Sequence, residues 1–125
     1  AIIFRTTVQG HKGCARFTRP FTSLSAEQKA ELASEYNWQS FGALNDVIIG
    51  AFREVWPASR FHVLHISMFE FRGDGHAVPT LPRPDCLHYC SPGAASEWWG
   101  RLLAHVLASV WPQIAGDDAR SSATT

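Results

Sequence analysis

Asp85 and His88 stand three residues apart in the run Asp85-Cys86-Leu87-His88-Tyr89-Cys90-Ser91-Pro92. On a turn, that spacing lets the carboxylate share a hydrogen bond with the imidazole. A carboxylate so placed fixes the ring tautomer and steadies the imidazolium that forms when the histidine takes a proton from a hydroxyl nucleophile. These are two of the three members of a catalytic triad. The remaining member, a nucleophile in an evident setting, does not stand out in this chain.

Other residues of chemical interest are fewer and more ambiguous. Asp74 and His76 form a second acid–histidine pair in the same stretch; a Gly-rich turn with the Asp accepting backbone N–H bonds accounts for them better, although they could still line the site. Arg5 and His11 could contact an anionic or sugar ligand, although an arginine at a strand end also pairs with carboxylates. His62 and His65 would point to opposite faces of a strand and read as half-buried histidines. Cys86, His88 and Cys90 alternate at a spacing of two, which is not that of a structural zinc site, so no metal is expected. Trp98, Trp99 and Tyr89 could stack on sugar rings, but Trp99 fits packing against a sheet.

The elements that must position these residues follow from periodicity and breakers. Residues 1–8 read as a buried strand and 9–21 as a loop. Ser25-Ala26-Glu27-Gln28 matches a capping box that opens a helix over 26–36. Leu44, Ile48, Ala51, Phe52 and Val55 recur at helical spacing, predicting a helix over 41–56 stopped by Pro57. Residues 61–66 have strand character, and 72–93, with four prolines, reads as a long loop. A last helix over 95–111 carries Trp99, Leu102, Leu103, Val106 and Val110 and ends at Pro112. Residues 113–125 form a tail, small and polar from Gly116 on, expected to be disordered.

This order predicts an α/β fold with a parallel sheet, in one domain. Two strands cannot make a stable sheet covered on both faces, so more strands are expected upstream. The chain opens directly on Ala1-Ile2-Ile3-Phe4, which suggests a piece of something longer. Its 125 residues are 46% apolar and 18% charged with a formal charge of zero, so nothing resembles a nucleic-acid footprint. Three cysteines allow one disulfide and an orphan in an oxidising compartment, or three thiols in a reducing one.

The block Asp85-Cys86-Leu87-His88-Tyr89-Cys90-Ser91-Pro92-Gly93, followed by Trp98, Trp99, Leu102 and Leu103, resembles the end of the trichome-birefringence-like proteins. These belong to the PC-esterase group of SGNH/GDSL-type acyl hydrolases and transferases. Arg72-Gly73-Asp74-Gly75-His76 resembles a second segment of that family, and Arg5-Thr6-Thr7 with His11 a third. Most of residues 1–111 are covered, and the 85–93 block is the specific part. Tyr89 and Ser91 depart from the family's Trp and Leu. The family's Gly-Asp-Ser nucleophile element is not here, since Gly73-Asp74-Gly75 carries glycine where the serine would stand.

The resemblance implies the C-terminal part of an SGNH-like three-layer α/β/α domain over residues 1–112. It implies O-acyl, most often O-acetyl, transfer onto or off a polysaccharide hydroxyl, by a transferase or an esterase. His88 would be general base and then acid, and Asp85 would orient it. The serine would come from the upstream part of the same domain, and the chain alone would be inactive. No cofactor is implied beyond an acyl donor, and the partner is a polysaccharide or other glycan acceptor. Arg5, His11, Asp74 and His76 become candidate substrate-binding residues. A Golgi-lumenal, membrane-anchored parent would suit disulfides among Cys14, Cys86 and Cys90, with Cys14 pairing to one of the other two. The competing reading is a nucleophile-less carbohydrate-binding or interaction module on the same scaffold.

Overall fold

The computed structural model describes residues 1–77 and 84–122, with side chains described over 1–77 and 84–112. Strand β1 (Ile2–Arg5) pairs in parallel with β2 (Phe61–Leu64), in register from Ile2 opposite Phe61 to Arg5 opposite Leu64. A parallel pair needs a long crossover. Here the crossover contains α1 (Ala26–Leu32) and α2 (Phe41–Val55). A short antiparallel pair follows, β3 (His76–Ala77) with β4 (Asp85–Tyr89), and then α3 (Ala94–Ser122).

Strand alternation assigns the faces of the parallel pair. Phe61 meets α2, where its ring stacks on Phe52 with centroids 5.2 Å apart. Leu64 points the other way, into a core with Val8, Ile66, Phe69 and Ala95, against which Ile3, Trp99, Leu102 and Val106 pack. Helices therefore lie on both faces of a small parallel sheet, a mixed α/β arrangement. Thr6 closes the end of the sheet: its amide donates to the Leu64 carbonyl at 3.0 Å, and its hydroxyl accepts from the Ile66 amide at 3.0 Å.

Several expectations are met and others shift. The capping box is formed in both directions, with Gln28 N donating to Ser25 Oγ and Ser25 N to Gln28 Oε1. Helix α1 nonetheless stops at Leu32 instead of running to 36, because Tyr36 and Asn37 adopt left-handed backbone (φ 49° and 60°) and turn the chain into α2. Of the expected stripe on α2, Phe52 alone turns inward. Ile49 and Phe52 face inward, while Leu44, Val47, Ile48 and Val55 are exposed. Asn45 sets this rotation, because its amide pairs with both the N–H and the C=O of Thr7 at 2.9 and 2.8 Å.

The expected loop over 72–93 contains the β3–β4 pair, while its centre, residues 78–83 with Pro79 and Pro82, lies outside the described residues. Helix α3 passes through Pro112, where a stop was expected, and continues to Ser122 across most of the tail expected to be disordered. A proline inside a helix withholds one amide, here the donor to the Ala108 carbonyl, and the run absorbs that single loss. Residues 123–125 lie outside the described residues. Among the described residues, no helix is long and apolar enough to cross a membrane.

Candidate active site

Register loss is what creates the site. His76 pairs with Tyr89 and Ala77 with Asp85, so one step on β3 spans four on β4. Cys86, Leu87 and His88 are thereby extruded as a bulge whose backbone groups lack ladder partners. Several of these groups meet partners outside the ladder. Asp85 Oδ1 accepts from the amides of Leu87 and His88, both at 3.0 Å. The Cys86 carbonyl accepts from the His11 amide at 2.9 Å, and the His88 carbonyl faces Nδ1 of His76 at 3.2 Å. The expected turn is this bulge.

The second oxygen of the same carboxylate, Asp85 Oδ2, lies 2.7 Å from His88 Nδ1. The ring then holds its proton on Nδ1 and leaves Nε2 as the basic nitrogen. The His88 amide, joined by its ring and by the Leu87 amide, holds the Asp85 carboxyl down at about 2, although partial burial pushes the other way. Asp85 is therefore ionised throughout the working range. The His88 side chain is 77% exposed, so Nε2 is open to solvent.

His88 borders two grooves. The larger, about 670 Å³, is lined by Asp85, Leu87, Glu35, Tyr36 and Trp38 among others. Tyr36 and Trp38 escaped the sequence reading. Their only signal was an aromatic pair flanking Asn37, and the left-handed backbone of Tyr36 and Asn37 is what leaves the Tyr36 ring 82% exposed, 5.6 Å from that of Trp38. The smaller groove, about 320 Å³, joins His88 and Leu87 to Arg5, Thr7, Tyr89 and Trp99. It lies at the carboxyl end of β1, the end at which parallel sheets bind their ligands.

The other candidate residues separate clearly. Arg5 lines the smaller groove with its guanidinium 4.6 Å over the Trp99 ring. Trp99 packs edge-on against Phe69 and Tyr89, while Trp98 is exposed. Asp74 accepts two bonds from the guanidinium of Arg72, at 2.9 and 3.2 Å, within a short turn. His11 and His76 are buried, at 0% and 2% exposure, and meet each other with His11 Nδ1 2.7 Å from His76 Nε2. They lie beneath the bulge and do not line either groove.

Cys14 and Cys86 form a disulfide across 72 residues of sequence, and Cys90 is a free, exposed thiol. The bond ties the bulge to the short helical turn Cys14–Arg16 and packs with Ala33 and Trp38. Gly10 runs close alongside: a Cβ there would sit 2.6 Å from the Trp38 ring and 2.7 Å from the Cys86 carbonyl oxygen. Among the described residues, no three His, Cys, Asp or Glu side chains converge as a metal site would require. Comparisons with protein-family models, with curated proteins and with solved structures found no match to this chain.

Proposed function

We propose that this chain is the part of a polysaccharide O-acyltransferase or acyl esterase that supplies the base and its orienting carboxylate. The nucleophilic serine comes from the upstream part of the same domain. The observation that carries this reading is the contact of Asp85 Oδ2 with His88 Nδ1, which leaves Nε2 open between two grooves. In that reaction a serine hydroxyl gives its proton to Nε2 as it attacks the acyl carbonyl, and Asp85 balances the imidazolium. The proton returns to the leaving group. A sugar hydroxyl or water, deprotonated in turn by His88, then releases the acyl group.

In this reading β1 and β2 belong to a wider parallel sheet in an SGNH-like α/β/α domain. The uncovered side of α2, with Val47 at 68% and Val55 at 76% exposure, is where its remaining elements pack. The exposed Tyr36 ring beside the dyad offers a face for a sugar of the acceptor. The disulfide suits an oxidising lumen such as the Golgi. The acyl donor is a co-substrate, and no cofactor is required.

The test is the native polypeptide itself, captured with an antibody to this chain and characterised by intact mass and N-terminal sequence. A longer product with an upstream Gly-Asp-Ser, acylated on that serine by an activated acetyl ester and inert as His88→Ala, is the expected result. A product of 13.9 kDa that binds glycans without acyl transfer would replace this reading with that of a binding module.

A further inference from the structure

Three contacts run in line through the two buried rings beneath the bulge. The Glu70 carbonyl lies 2.7 Å from His11 Nε2, His11 Nδ1 lies 2.7 Å from His76 Nε2, and His76 Nδ1 lies 3.2 Å from the His88 carbonyl. Both ends of the line are carbonyl oxygens, which only accept. Each contact needs one proton, so the completed line holds three protons on two imidazoles, whereas two neutral imidazoles carry two. The pair is therefore either neutral with one contact bare, or complete with a charge of +1. The two 2.7 Å contacts hold protons, so the bare one is the longest, at the His88 carbonyl. His11 then carries its proton on Nε2, and His76 Nε2–H donates to His11 Nδ1.

We propose that the His11–His76 pair is a one-proton switch: a single added proton on His76 Nδ1 ties the His88 carbonyl and with it the bulge that presents Asp85 and His88. The proton comes from solvent and one N–H bond forms. The O–H bond of a hydronium ion breaks as the N–H bond forms, water is released, and the charge of the pair rises from zero to +1. Uptake stops at one, because the middle contact has room for only one hydrogen.

The surroundings set where the switch turns. Phe21 stacks on His11 and Tyr89 on His76, at 5.9 and 4.4 Å between centroids. Tyr89 donates its hydroxyl to the Phe69 carbonyl, and burial pushes its ionisation upward. Glu70, paired with Lys29, and Asp74, paired with Arg72, favour the added charge, as does Asp85 beside His88. Burial outweighs them. It lowers both His11 and His76 below the usual histidine value. The pair is neutral at neutral pH and takes its proton in acid. As a positioning device acting through the His88 backbone, it does not depend on which reaction the dyad performs.

Long-range ¹H–¹⁵N spectra of the full chain with ¹⁵N-labelled histidines test this directly. At neutral pH both rings are expected as Nε2–H tautomers. On acidification the pair gains one proton, and the ¹³C shift of the His88 carbonyl moves with the midpoint of the His76 ring nitrogens. His76→Gln keeps a donor toward His11 but has no proton to gain, so that carbonyl step disappears. An Nδ1–H tautomer of His76 at neutral pH would overturn the proposal. So would uptake of two protons by the pair, or unfolding with no prior uptake. Should His76→Gln fail to fold, the wild-type spectra decide alone.

Discussion

Asp85 holds His88 twice, its Oδ1 accepting from the backbone amide at 3.0 Å and its Oδ2 lying 2.7 Å from Nδ1 of the ring. One carboxylate thus satisfies the bulge that lifts His88 from the strand and also orients the imidazole on it. The same contacts make the carboxyl a strong acid, so dyad geometry and ionisation have one cause.

Replacing Asp85 with Asn separates the two jobs. The side-chain oxygen still accepts from the amides, but the NH₂ group cannot accept from Nδ1–H, and the ring turns to the Nε2–H tautomer. In the acyl-transferring polypeptide the rate should fall roughly 10⁴-fold, the loss known for this change in a serine protease. Far-ultraviolet dichroism should be unchanged. A loss under tenfold would make Asp85 a structural residue only.

Two pH windows follow from the shifted groups. The Asp85 carboxyl is lowered from 3.8 to about 2, so its contribution to stability is complete above about 4 and is lost as pH falls through about 2. His76 is lowered from 6.5 to about 4, so the folded state is favoured fully above 6.5 and progressively less as pH falls to about 4. Urea unfolding between pH 7 and 3 should show the second decline. Carboxyl ¹³C shifts of Asp85 should stay flat until below pH 3.

Removing the disulfide by Cys14→Ala with Cys86→Ala should cost about 2–5 kcal/mol in denaturant unfolding, because a 72-residue separation is no longer closed. Cys90→Ala, at an exposed free thiol, should leave stability unchanged in the same assay.

Gly10→Ala should cost about 1–3 kcal/mol by overpacking. The new methyl meets the backbone oxygen of Cys86 as well as the Trp38 ring, and that oxygen cannot withdraw without breaking the bond from the His11 amide. Thermal unfolding measures the loss, and an unchanged midpoint would mean that the segment moves freely.

Val47→Glu should change the stability of this chain by no more than about 0.5 kcal/mol, because the side chain already faces solvent. In the longer polypeptide of the proposed function, the same change should cost about 2 kcal/mol or more, because it would bury a charge against the elements that reading packs on this face. Equal effects in both would show that this face stays open.

The elements were legible where local chemistry decides them. The Ser25–Gln28 capping box, the Phe41–Val55 helix and the parallel-strand character of Ile2–Arg5 and Phe61–Leu64 follow from caps, periodicity and β-branched runs. The Asp85–His88 pair was legible because its three-residue spacing is a property of the chain alone. What lay beyond reach depends on contacts between distant segments. Asn45 chose the buried face of α2 by pairing with Thr7, against the hydrophobic pattern. The bulge at Cys86–His88 exists because β3 and β4 pair out of step, which no local propensity encodes. His11 and His76, 65 residues apart, read as candidate ligand contacts, but folding buried them against each other beneath the dyad. Sequence specifies which groups can do chemistry. Only tertiary packing decides which of them face solvent and which are paired in the core.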